Sequence, residues 1–202
     1  MTTRSLVRLP ALTRATFRVA VCALTVGCST PVLAQSAQAF SVQVAATYST
    51  LRADNRSIVG VGIAPQLRYN RVLATENRGT ISLGAGGEYA LHRSGDDRLH
   101  VAGIFIEPRW ALPFSAGCAF PFISARAAVQ RVIADFDARD DGSATGYAVG
   151  AGPGVTFRMT RTANLDVGVQ LQRQQFASIR GTRFGPSMTY AARLGVSLGY
   201  PR

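Results

Sequence analysis

The sequence has no lysine; all 22 of its basic residues are arginine. That bias reflects base composition as readily as chemistry, and no functional reading rests on it. There are only two histidines, His92 and His100, which narrows the scope for imidazole catalysis. Three cysteines are too few for a disulfide framework. Beyond residue 28 there is no long apolar run, which excludes a helical inner-membrane anchor in the rest of the chain. The net charge of +11 comes without a basic helix or an aromatic-basic cluster, so nucleic acid is not an expected partner.

What is present begins with a distinct leader. Arg4, Arg8, Arg14 and Arg18 precede the apolar run VAVCALTVGC, followed by STPVLAQ with Val32 and Ala34 as small cleavage-site residues. This pattern predicts a signal peptide over residues 1–34, removed before Gln35, with AQA before Phe40 as the alternative site. Thr25 stands where lipid attachment at Cys28 would want an aliphatic residue, so a lipoprotein is not expected. Loss of residues 1–34 removes four arginines and no acid, and leaves Cys118 as a lone thiol. The expected destination is periplasm, outer membrane or exterior, and residues 35–202 are expected to form one domain.

That domain alternates with period 2, in eight segments near 39–50, 57–70, 79–92, 99–112, 120–131, 145–159, 164–175 and 186–200. One face of each is apolar: Phe40, Val42, Val44, Ala46 and Tyr48 in the first, Met188 to Tyr200 at every second residue in the last. The other face mixes Gln, Ser, Thr and charged residues with glycine. Long side chains set among glycines suit a narrow enclosed space. Pro65, Pro108 and Pro153 each remove a ladder donor, and bulges or local irregularity are expected near them.

Two architectures fit eight up-and-down strands. A soluble ligand-binding barrel turns its apolar face inward; a transmembrane barrel turns it outward. The aromatics separate them. Phe40, Tyr69, Trp110, Phe157 and Tyr200 fall at one set of strand ends, and Tyr48, Tyr89, Tyr147 and Tyr190 at the other. All nine lie on the apolar face. Two girdles match two lipid–water interfaces, so the fold class expected is all-β, an eight-stranded antiparallel transmembrane barrel. Slipping the register by one residue would expose Glu88, Glu107 and Arg126 to lipid, at about 2–4 kcal/mol for an arginine near the midplane.

In these features the chain resembles the small eight-stranded outer-membrane barrels, the OmpX-like proteins and the membrane domain of OmpA. Arg193, Gly195, Leu198 and Tyr200 occupy the four defined positions of that family's C-terminal insertion signal, although Pro201 and Arg202 follow. The resemblance implies partners: outer-membrane lipid, lipopolysaccharide, and the barrel assembly machinery during biogenesis. It implies a monomer with a structural or surface-interaction role and no cofactor. No peptidoglycan-binding domain is expected after the eighth strand.

Inside the barrel, Arg68, Glu88, Glu107, Arg109, Arg126, Arg158, Asp166 and Arg193 are expected to pair as an ionic plug, because unpaired enclosed charge is costly. A narrow ion path is the alternative use of the same residues. His92 and Ser94 have the His-x-Ser spacing of the lipid-A deacylases, with Asp96 and Asp97 nearby. They are expected in a loop, with Gly95 in place of that family's Asn, so no catalytic residue is assigned. Asp135, Asp137, Asp140 and Asp141 before Gly142 lack regular calcium-loop spacing and read as a solvated loop tip, with no metal expected. External loops of roughly six to fifteen residues are expected to carry Arg52, Arg56, Arg93, Arg98, Arg180 and Arg183, which suit phosphates of lipopolysaccharide.

Overall fold

A computed structural model describes residues 38–53, 56–94, 97–113, 118–136, 139–178 and 184–199. Every regular element among them is a strand: β1 Gln38–Ala53, β2 Arg56–Glu76, β3 Gly79–Ser94, β4 Asp97–Ala111, β5 Ala119–Phe136, β6 Arg139–Arg158, β7 Ala163–Phe176 and β8 Phe184–Gly199. Each pairs antiparallel with its neighbours, and β8 returns to β1, closing the barrel. Closure leaves no unpaired strand edge.

The alternation in the sequence becomes the two walls of this barrel. On β1, Val42, Val44 and Tyr48 are exposed, whereas Ser41, Gln43, Thr47 and Ser49 are buried. The apolar face points outward on all eight strands. Ile104 is 70% exposed and Leu198 59%, while Glu107 on β4 is fully buried. Register aligns the aromatics as well: Phe40 is the partner of Tyr69, and Tyr48 of Tyr190, with ring centroids 5.0 and 6.4 Å apart. Trp110 lies at the same end as Phe40 and donates its indole N–H to the Arg78 carbonyl at 3.1 Å. That end carries both chain termini and is called the terminal end below. Tyr200 lies outside the described residues.

The irregularity expected near the prolines takes the form of lapsed pairing rather than a bulge. Pairing lapses on one side of each, at residues 64–65 towards β3, 107–108 towards β5 and 152–153 towards β7, with no change of register. On the other side Pro65, Pro108 and Pro153 remain opposite Val44, Leu83 and Ile123. The register shifts fall elsewhere, at Thr50/Arg52, Val72/Ala74 and Ala134/Phe136.

Three expectations about the far end are corrected. The strands run past the polar residues read as loops, so only residues 54–55, 95–96 and 137–138 separate the first three far-end strand pairs. The acidic stretch is not a long loop tip: Asp135 belongs to β5, Asp140 and Asp141 belong to β6, and Phe136 pairs with Arg139. Asp137 lies outside the described residues. His92 and Ser94 likewise belong to β3. Backbone pairing outweighed local turn chemistry in each case, because extending a hairpin already in register adds ladder bonds at little further entropic cost. Cys118, just before β5, is disulfide-bonded in the full-length chain; the lone-thiol expectation concerned the chain without residues 1–34.

Candidate functional site

The terminal-side half of the lumen is organised around one carboxylate. Glu107 Oε1 accepts hydrogen bonds from Arg68 Nη1 at 2.6 Å and Arg109 Nε at 3.0 Å. Its Oε2 accepts from Arg126 Nε at 2.9 Å and Arg193 Nη1 at 2.7 Å. Alternation on β4 points both Glu107 and Arg109 inward, two residues apart on one face.

Two further carboxylates extend the network. Asp166 receives the Thr156 hydroxyl at 2.6 Å, Arg68 Nη2 at 3.2 Å, Arg109 Nη1 at 3.4 Å and Gln43 Nε2 at 3.4 Å. Glu88 receives Arg126 Nη1 and Gln130 Nε2, each at 2.7 Å, and Gln66 Nε2 at 3.3 Å. Gln43, Arg68, Glu88, Glu107, Arg126, Thr156, Asp166 and Arg193 come from β1 to β8 in turn. One connected polar network thus ties every strand to the others. Four arginines meet three carboxylates, all inside the wall, where charge-assisted bonds are strong and an orphaned partner is costly.

The arginines are also packed from the side. Arg126 lies 3.7 Å from the Phe105 ring centroid, Arg109 4.1 Å from Phe122, and Arg158 5.1 Å from Phe120. These are cation–π distances. Glycines make the room: a Cβ on Gly86 would meet the Phe105 ring at 2.8 Å, and one on Gly154 would meet Phe122. Arg158 lines a cavity of about 80 Å³ that opens on the terminal side and is also lined by Arg109, Thr156 and Asp166.

Above the network the lumen changes character. Phe105, Ala128 and Ala148 form one buried cluster, and Leu99, Val101, Val132, Ala144 and Phe176 belong to another. The far-side half of the lumen is therefore mixed: these apolar clusters share it with buried Thr47, Ser49, His92, Gln172, Gln174 and Thr189, so the expected polar interior holds there only in part. Sequence reading passed over these apolar residues because β4 is apolar on both faces there, with Ile104 and Ile106 outside and Val101 and Phe105 inside. It also passed over Gln43, Gln66, Gln130 and Thr156 as carboxylate partners, although their inward phase was legible.

His92 points into the lumen, 5% exposed, and shares a 3.1 Å hydrogen bond with the Thr47 hydroxyl. Ser49 and Thr189 bond beside it at 2.9 Å. The other histidine faces outward: His100 Nδ1 lies 2.6 Å from the Tyr89 hydroxyl. Among the described residues, no three His, Cys, Asp or Glu side chains are grouped to hold a metal ion.

No protein-family model and no curated protein matches the chain. Solved structures do. Neisserial surface protein A (NspA) is 16% identical, with a TM-score of 0.58 over 80% of this chain and 99% of NspA. The outer membrane enzyme PagL is 16% identical, with a TM-score of 0.54 over 78% of this chain and 99% of PagL. The chain has the fold of the small eight-stranded outer-membrane barrels. Within that fold, three of the four C-terminal positions noted above also have local reasons for their identities. Arg193 is a Glu107 partner, and Gly195 lies where a Cβ would strike Gln43. Leu198 faces outward, and Tyr200 lies outside the described residues.

Proposed function

We propose that the chain is exported by its N-terminal signal peptide, residues 1–34, and that residues 35–202 reside in the outer membrane as a monomeric, non-enzymatic, non-conducting barrel. Its role is structural, with surface contact through the far end, which faces outside. The observation that carries the membrane reading is the outward apolar band bounded by Phe40, Tyr69 and Trp110 at one end and Tyr48, Tyr89, Tyr147 and Tyr190 at the other. Water is a poor solvent for such a surface, whereas lipid with interfacial aromatics is a good one. Outer-membrane lipid and lipopolysaccharide are the surrounding partners, and Arg193, Gly195, Leu198 and Tyr200 serve the assembly machinery as the insertion signal.

The lumen supports the non-conducting reading. A permeating ion would have to displace the Glu107 network and then pass the packed side chains of Val101, Phe105, Val132 and Phe176. PagL is an enzyme on the same fold, so fold alone does not decide the point. Here His92 faces the lumen, away from any lipid substrate, and this favours a barrel without that chemistry. Planar-bilayer recording of the purified full chain tests the reading. No discrete current steps are expected, and reproducible unitary steps that vanish in a Glu107 variant would replace the plug with a pore.

A further inference from the structure

Just beyond Tyr89, on the outward face of β3, β4 and β5, the barrel carries a compact cationic patch. Arg93 and Arg98 are direct register partners on adjacent strands, and both are exposed. Like charges placed opposite each other in a sheet repel, and an anion held between them would relieve that repulsion. The next pair towards the membrane is Leu91 and His100, and the one after is Tyr89 and Ala102. Across the following ladder, Ala102 faces Arg131, whose Nη2 donates to Ser143 at 2.9 Å. The β5 register partner of Arg98 is Asp135.

The membrane side of this patch is apolar. Leu91, Ile104 and Ile133 are exposed on the same three strands. A ligand that satisfies both halves has a phosphate for the guanidinium forks and hydrocarbon for the surface below. A free anion meets only the first requirement. The geometry points to a site for a phosphate of an outer-leaflet glycolipid, one not neutralised by a cationic headgroup, held by Arg93, Arg98 and Arg131 with its acyl chains along Leu91 and Ile104. Arginine suits this because its planar fork binds phosphate through two parallel hydrogen bonds. The inference rests on the outer-membrane reading above and specifies the partner and its place on the wall.

The test is native mass spectrometry of the full chain in detergent, incubated with diphosphorylated lipid A or with phosphatidylcholine, alongside the unboiled gel shift of each sample. Wild type should retain lipid A in preference to phosphatidylcholine, and millimolar inorganic phosphate should not displace it. R93Q/R98Q should lower retention about tenfold or more. R93K/R98K, which keeps the charge and loses the fork, should fall between; Arg131→Gln provides an independent arm. Unaltered retention in variants that keep the gel shift would overturn the site alone. Displacement by inorganic phosphate would reduce it to a free-anion site. A wild type without a gel shift would overturn the barrel reading, and this site with it.

Discussion

Glu107 on β4 and Arg193 on β8 meet across the lumen at 2.7 Å, although 86 residues separate them in the chain. Only closure of the barrel brings them together, and neither has water to fall back on. The contact therefore links the C-terminal strand to the middle of the fold through a buried charge.

Removing that carboxylate should destabilise the barrel. Glu107→Ala leaves Arg68, Arg109, Arg126 and Arg193 facing one another without their common acceptor, and about 3–5 kcal/mol is the expected loss. Glu107→Gln keeps the shape and part of the hydrogen bonding, so it should fall between. Urea unfolding followed by the gel shift measures both, and an unchanged midpoint for Glu107→Ala would show that the network contributes nothing to stability.

Two adjacent glycines should respond oppositely to substitution. A Cβ on Gly86 runs into the Leu67 carbonyl and the Phe105 ring, whereas the nearest neighbour of one on Gly87 is the Gly103 carbonyl at 3.7 Å. Gly86→Ala should cost about 1–3 kcal/mol through overpacking, and Gly87→Ala should be close to neutral. Equal effects in the same unfolding assay would mean that the inner wall is looser than described.

How much of this was legible beforehand depended on contrast between the two faces. Where one face was apolar and the other polar, as at Phe40 to Tyr48, the strand and its phase could be read directly. At Val101 to Ile106 both faces are apolar, so the luminal layer was hidden. Near Asp135 to Gly142 both faces are polar, and Asp and Gly signalled a turn in residues that mostly extend a hairpin. His92 looked available for chemistry because its position in β3 was read as a loop. The eight network residues were chosen by phase alone, and seven of them are directly linked through the carboxylates. Arg158 lines the cavity on the terminal side beside Arg109 and Asp166, a matter of depth that alternation does not encode.

The outward band offers a test of its surroundings. Ile106 is 53% exposed, midway along the outward positions of β4 between Ala102 and Trp110. In a bilayer, Ile106→Arg should destabilise the protein by about 2–4 kcal/mol. On a water-exposed wall the same change should be nearly neutral or raise solubility.

The most direct measurement is heat modifiability of the full chain expressed in a Gram-negative host. Outer membranes are isolated, and boiled and unboiled samples are compared by gel electrophoresis. The expected result is a band in that fraction which migrates faster unboiled, as a closed barrel resisting the detergent would. A soluble periplasmic protein with the same mobility in both samples would contradict the membrane-spanning account.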